Sequence, residues 1–324
     1  MELIFFIVMA AVALLVLFVK DVKLAIIVWF IIFIIYSFIT RSGAQGDDMR
    51  DYYSRLSSEC ICKYRELLYY YITIYLNKLI RNEVYTFFLL DIILAGSTIW
   101  SLNRLDDGEG SLLSISPTIL TSYVFLLGQQ NIYRQHMAFV VFLVSLSLRK
   151  KTTIPSLIIF IGSCLIHNSL AILAGYWYDE KRGTKRGMLR GSLITLLISV
   201  LFTIFTHQLF GGYHDTGANT SFVYFIIAGI IIFLLLYSKL GQMKVLLRFP
   251  SLENMFLFTP IFLSPLPGAI IERFLMMFIV LLAIDLCRYR HLYGLSRTIT
   301  NLFNYLALVI PVFLFGSTLH FLIM

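Results

Sequence analysis

Arg134, His167 and Arg273 each lie within or at the end of an apolar run. Two guanidinium groups could hold an anion through paired hydrogen bonds, and an imidazole could take a proton from a hydroxyl. Charge inside a bilayer is expensive, about 3 kcal/mol for an arginine at the centre on insertion scales, so such residues usually face a cavity and mark function. The three can form one site only if they reach the same side of the membrane.

The elements that must position them are apolar helices. The chain of 324 residues is 59% hydrophobic and 14% charged, with mean hydropathy +0.85; a soluble domain carries about 25% charged residues. Apolar runs recur from end to end, each long enough to span a hydrocarbon core of about 30 Å. The expected fold class is an all-α polytopic membrane protein, a single integral membrane domain over 1–324. The first run, Leu3 to Val19, follows Met1-Glu2 without a basic n-region or an A-x-A site and reads as a retained helix. Cys60 and Cys62 are two apart, a poor spacing for a disulfide. Cys164 and Cys287 lie in apolar helices, and no His/Cys cluster suggests zinc. No internal repeat is visible, which disfavours transporter folds built on repeats.

The apolar pattern predicts ten spanning segments, near 3–19, 24–40, 83–101, 115–130, 132–148, 191–210, 221–238, 252–266, 268–287 and 299–323. Basic residues orient them. Lys20 and Lys23, Arg149-Lys150-Lys151, the group from Lys181 to Arg190, Lys239 to Arg248, and Arg288 to Arg297 belong in the cytoplasm by the positive-inside rule. The apolar stretch 153–178 has basic residues on both flanks, so a single crossing would break that rule. It carries Gly162, then His167-Asn168-Ser169 near its middle, then Gly175. Two half-helices meeting at His167 would enter and leave on the cytoplasmic side, which is allowed where backbone lines a cavity or is buried in protein. The alternative is one long tilted helix with one loop breaking the rule. With the re-entrant hairpin, 17 Lys and Arg and 8 Asp and Glu fall inside, and 9 and 10 fall outside. Orientation thus accounts for the net charge of +8, and nucleic acid need not be invoked.

The outer face then holds the 41–82 loop, the turn at Gln129–Arg134, the Gly211–Thr220 loop and the Pro265-Leu-Pro267 turn. Arg273 falls about 9 Å past Pro267 along a helix, so the three residues can converge from outside. The 41–82 loop is too long for a simple connector. Within it Tyr64, Leu67, Leu68, Tyr71, Tyr75 and Leu79 recur at helical spacing, which predicts an amphipathic external helix suited to a membrane surface. Its start carries Arg41, Gly46-Asp47-Asp48 and Tyr52-Tyr53. Aromatics beside carboxylates suit carbohydrate faces and hydroxyls; they equally suit an interfacial aromatic belt.

Taken in order, these stretches make the chain resemble the EpsG/Wzy-type family of bacterial polysaccharide polymerases. The resemblance rests on Arg41 with Gly46-Asp47-Asp48 and Tyr52 or Tyr53, on Glu66-Leu67-Leu68, and on Tyr133-Arg134-Gln135-His136-Met137-Ala138. It continues through Ile166-His167-Asn168-Ser169 and Glu272-Arg273-Phe274. It covers most of the chain; His136 stands where the family often has an apolar residue. The resemblance implies an O-antigen or exopolysaccharide polymerase, a membrane glycosyltransferase with a fold similar to the GT-C type. Such an enzyme sits in the bacterial inner membrane with its active site facing the periplasm or exterior. It joins oligosaccharide repeat units linked to undecaprenyl pyrophosphate, with the growing chain as donor and a single lipid-linked repeat as acceptor. Membrane lipids surround it, a chain-length regulator protein is a candidate partner, and no cofactor, metal or nucleotide sugar is expected.

That chemistry gives the polar residues roles. Arg134 and Arg273, then Arg41, are expected to hold the pyrophosphate. The alternative for Arg273 is a pair with Glu272 or Asp91, and for Arg41 it is snorkelling from a helix end. His167 is the first choice of base for the acceptor hydroxyl, an effect worth roughly 10²–10⁴ in rate; the alternative is a satisfied core histidine. Asp47 and Asp48 could act instead or orient the acceptor sugar. Gln135, His136, Tyr52 and Tyr53 complete the expected substrate contacts, with His136 ranked second as a base. Asp91 reads as a partner for an arginine. Three other functions compete: an O-antigen ligase-like transferase, which usually has its large external loop late; a membrane acyltransferase, which needs an acyl channel; and a lipid-linked oligosaccharide flippase or transporter, which normally shows repeats.

Overall fold

The computed structural model describes residues 2–43, 47–57, 66–106, 111–149, 152–179, 189–198, 200–201, 221–241, 245, 249–258, 268–315 and 322. All regular structure among them is helical, with no strand. The chain divides into two units, Met1–Leu170 with Asn301–Met324, and Ala171–Thr300.

In the first unit α1 (Glu2–Val16) and α2 (Val22–Ser42) pack as neighbours. Asp21 starts α2 by accepting the Leu24 amide at 3.2 Å, a side-chain cap for an otherwise unpaired donor. The 41–82 region then holds two helices, α3 (Asp47–Ser57) and α4 (Leu67–Ile80). Asn82 caps α5 (Glu83–Leu105) by accepting the Tyr85 amide at 3.0 Å. The single span expected over 115–130 is instead two helices, α6 (Ser111–Leu120) and α7 (Tyr123–Gln130), bent by 46°. Two local features account for the bend. Pro117 removes an amide from α6, and the Leu113 carbonyl accepts from Ser116 Oγ at 2.8 Å instead. Ser122 then begins a new helix by accepting the Phe125 amide at 3.3 Å. α8 (Tyr133–Arg149) and α9 (Thr153–Ile166) follow as an antiparallel pair, and a 3₁₀ turn occupies Asn168–Leu173.

In the second unit the described helices are α10 (Ala174–Asp179), α11 (Leu189–Ile198), α12 (Ser221–Leu240), α13 (Pro250–Leu257), α14 (Gly268–Arg288) and α15 (Arg290–Tyr293). Its polar centre is Asp285 on α14, fully buried. Its carboxylate accepts the Tyr176 hydroxyl at 2.9 Å and the Ser251 amide at 3.0 Å in the first turn of α13. A carboxylate at a helix start meets both unpaired N–H groups and the positive end of the dipole. Ser192 with Glu253 and Thr195 with Asn254 join α11 to α13. α16 (Arg297–Leu314) returns the chain to the first unit, where Tyr305 donates to the Ala10 carbonyl at 3.0 Å and Asn301 to Ser114 Oγ at 2.7 Å.

The polarity of these helices is inside-out relative to a soluble fold. On α2, Leu24, Ile27, Val28, Ile31, Ile35 and Phe38 are exposed while Ser37, Thr40 and Arg41 are buried. On α5, Leu89 and Ile93 are exposed while Asp91, Thr98 and Ser101 are buried. Apolar faces outward and polar groups inward suit a hydrocarbon surround, in which backbone and side-chain polar groups must be satisfied within the protein. Among the described residues, four helices are long and apolar enough to cross a membrane: α2, α5, Val223–Leu240 of α12, and α16. The bent α6–α7 pair makes a fifth if it is one span. α1, α9 and α11 are shorter apolar helices. α14 follows the expected 268–287 segment, and the segment expected over 252–266 is described only to Phe258.

The amphipathic helix expected around Tyr64–Arg81 is α4, with Tyr64 outside the described residues. It buries Tyr69, Thr73 and Ile74 against the protein. Leu67, Tyr71, Tyr75 and Leu79, one turn apart, form an exposed outer stripe.

Candidate functional site

Among the described residues of the first unit, beside the exposed Arg55–Asp51 pair, two arginine–carboxylate clusters reach into the protein, and the inner one positions the outer. In the inner cluster Arg41 meets Asp91 with a fork of two bonds, Nε to Oδ2 at 2.7 Å and Nη2 to Oδ1 at 2.8 Å. Asp91 also accepts Ser37 Oγ at 2.7 Å and the Tyr133 hydroxyl at 3.0 Å. Ser37 and Arg41 lie one turn apart on α2, so they reach the same carboxylate of α5 from one face. Arg41 Nη1 donates to the Gln129 carbonyl at 3.1 Å, a cation at the C-terminal end of α7. The guanidinium lies 5.0 Å from the centre of the Tyr133 ring and 5.8 Å from that of Phe87. Arg41 and Asp91 are each 1% exposed. The cluster therefore locks α2, α5, α7 and the first residue of α8 together without presenting a charge to an incoming ligand.

Arg134 follows Tyr133 and turns to a different side of α8. Its Nη1 pairs with Glu66 Oε2, its Nε donates to the Tyr52 hydroxyl at 3.2 Å, and its guanidinium lies 5.4 Å over the Tyr52 ring. Arg134 is 31% exposed and Glu66 8%. The other oxygen of Glu66 meets His167 Nε2 at 3.2 Å. On the far side of the imidazole, Nδ1 lies 2.6 Å from Ser169 Oγ and accepts the Ser169 amide at 3.3 Å. An amide can only donate, so Nδ1 carries the lone pair and the Nε2 hydrogen points at Glu66. The result is one chain of contacts: Arg134, Glu66, His167, Ser169.

Helix register brings Arg134 and His167 together. Ser145 Oγ donates to the Ser156 carbonyl at 2.7 Å and Ser156 Oγ to the Ser145 carbonyl at 2.8 Å, a close small-residue contact between α8 and α9. Counting back along α8 from Ser145 to Arg134 and forward along α9 from Ser156 to His167 covers the same number of residues, about three turns. Both residues thus return to the facing sides of the antiparallel pair, at one level. His167 is the residue after α9, in extended backbone at φ −151° and ψ 115°, so the chain breaks where the sequence predicts. Glu66 opens α4 in the left-handed region at φ 70° and ψ 41°, without capping the helix with its side chain. A non-glycine residue in that region is uncommon, and such outliers gather at functional sites.

The remaining predicted residues separate. Tyr52 joins the open cluster. Tyr53 packs its ring on Phe87 at 4.9 Å, beside the inner cluster, and burial pushes its phenol up to about 12. Arg41, expected as a third pyrophosphate ligand, is buried and gives hydrogen bonds to Asp91 and the Gln129 carbonyl. Asp91 partners Arg41, the arginine pairing expected of a carboxylate in mid-helix. His136, expected as a substrate contact, is buried at 6% exposure, with its ring edge-on to Phe125 at 4.7 Å. It lies so close to Gly128 that an added Cβ there would sit 2.6 Å from Nδ1. Gln135 is likewise buried in α8. Asp47 and Asp48 open α3, and their side chains lie outside the described residues. Arg273 lies in α14, in the second unit, beside buried Glu272. The sequence reading missed Glu66 as a site residue, although it stands in one of the stretches carrying the resemblance.

Comparison of the chain with family models, with curated proteins and with solved structures returns no match.

Proposed function

We propose that the chain is a polysaccharide polymerase, a membrane glycosyltransferase. It joins undecaprenyl-pyrophosphate-linked repeat units on the outer face of the bacterial inner membrane. The observation that carries this reading is the Arg134–Glu66–His167 constellation: a partly exposed cation and an imidazole held on one carboxylate at the end of an apolar helix pair. Arg134, braced by Tyr52, suits the phosphate oxygens of a lipid pyrophosphate. In a low-dielectric site that contact strengthens as charge develops on the leaving group.

In the proposed step the acceptor hydroxyl oxygen bonds to the anomeric carbon of the donor. The anomeric C–O bond to pyrophosphate breaks, and its electron pair leaves with the lipid pyrophosphate. The acceptor's proton passes by way of Ser169 Oγ to His167 Nδ1, and Glu66 stabilises the resulting imidazolium. The finer architecture belongs to the same proposal: about ten crossings, a re-entrant hairpin over 153–178, a GT-C-like arrangement, and a chain-length regulator as partner.

The test is purified protein with a synthetic lipid-linked repeat, which should yield a ladder of lengthened chains with or without chelator. In a deletion strain, His167→Ala and Arg134→Ala should leave single-repeat but not long-chain polysaccharide. Normal ladders from both variants would sink the site, and repeat units trapped on the inner leaflet would indicate a flippase.

A further inference from the structure

We infer that Glu66 is a positioning residue that couples occupation of Arg134 by a lipid pyrophosphate to the proton affinity of His167, so that the base strengthens only when the donor is loaded. The inference rests on the polymerase reading of the same site and gives Glu66 a task within it. Both carboxylate oxygens are committed, one to Arg134 and one to His167. Glu66 is 8% exposed, so its field is weakly screened by water. Arg134 is the more open partner at 31%, and an arriving anion meets it from the exposed side.

The signs follow from simple electrostatics. The Glu66 carboxylate favours the imidazolium of His167, while the Arg134 cation draws on that same carboxylate and opposes protonation. When pyrophosphate oxygens take the guanidinium, the Glu66 charge falls more fully on His167, and the proton affinity of the imidazole rises. Among the described residues, the charged and hydrogen-bonding groups near this pair include Tyr69 and Tyr70 in the first turn of α4, Tyr52 on α3 behind Arg134, and Arg55, which donates to the Tyr70 hydroxyl at 2.8 Å. A phenol hydroxyl can both donate and accept a hydrogen bond. The backbone supports a dedicated role. Glu66 holds the left-handed conformation while its side chain is turned to Arg134 and His167 instead of capping α4.

The test follows the His167 ring by ¹⁵N NMR, with full-length protein in phosphatidylethanolamine/phosphatidylglycerol nanodiscs and His167→Gln to assign the signal. The probe is a polyprenyl pyrophosphate without sugar. In the wild type the probe should raise the proton affinity of His167 about tenfold, one pH unit in its titration midpoint. In Glu66→Gln only the direct field of the probe remains, and the rise should be about threefold or less. Kinetically, Glu66→Gln should lower kcat while KM for the donor stays level or falls, because Arg134 is freed for phosphate. Glu66→Asp, which keeps the charge, should restore part of kcat, and it also serves if Glu66→Gln does not fold. Equal shifts in wild type and Glu66→Gln, or a probe that binds without moving His167, would overturn the coupling alone. A wild type that binds no lipid pyrophosphate would overturn the coupling and the polymerase reading together.

Discussion

Arg41 with Asp91 and Arg134 with Glu66 are the same chemical pair in two settings. The first is sealed, 1% exposed on both sides, with four hydrogen bonds converging on one carboxylate. The second is open on its cationic side, and its carboxylate is shared with an imidazole. A sealed ion pair gains little net stability, because desolvation offsets its attraction, yet breaking it strands a buried charge. An open pair can exchange its partner for a ligand. Tyr133 and Arg134 are adjacent, so the sealed cluster fixes the start of α8 while the next residue carries the open one. Burial, not residue type, separates scaffold from candidate chemistry.

The largest effect should come from breaking the sealed side. Asp91→Ala leaves Arg41 buried without its carboxylate and should cost about 3–5 kcal/mol, read as a lowered unfolding midpoint of the detergent-solubilised protein. A variant as stable as wild type would erase the distinction between the clusters. On the open side, His167→Ala should leave unfolding almost unchanged but lower kcat by roughly 10²–10⁴ in a lipid-linked repeat assay. Arg134→Ala should follow with a loss of about 10²–10³ in kcat/KM. A drop in protein level large enough to explain either loss would mean that the open pair is scaffold as well. Gly128→Ala sharpens the contrast from the packing side. It drives a methyl group into the His136 ring and should cost about 1–3 kcal/mol of stability, with kcat per folded molecule retained. A selective loss of kcat would return His136 to the site.

Much of this was legible in one dimension. The break at His167 could be read from basic flanks around an over-long apolar stretch, since charge asymmetry constrains how often a segment crosses. The amphipathic stripe of α4 was visible because helical spacing is a local property; its outward exposure was not, because the pattern does not say which surroundings the apolar face meets. The bend between α6 and α7 had local signals in Pro117 and Ser122 that the hydropathy of 115–130 masked. His136 could not be told from Arg134 by type, since a titratable residue at a helix start serves equally as ligand or as core. What separates them in the fold is the packing of His136 against Gly128 on α7 and the ring of Phe125.

By itself the sequence determined the all-α, apolar character of the chain, local caps such as Asp21 and Asn82, and the presence of Arg134 and His167 at helix ends. These depend on composition, caps and periodicity, each set within a few turns. Only the tertiary structure decided which carboxylate each cation meets. Asp91 and Glu66 stand far from their partners along the chain, and the Ser145–Ser156 register of α8 against α9 sets which side chains share a level. Pairing depends on the rotation and depth of whole helices, which small-residue contacts fix and hydropathy does not record.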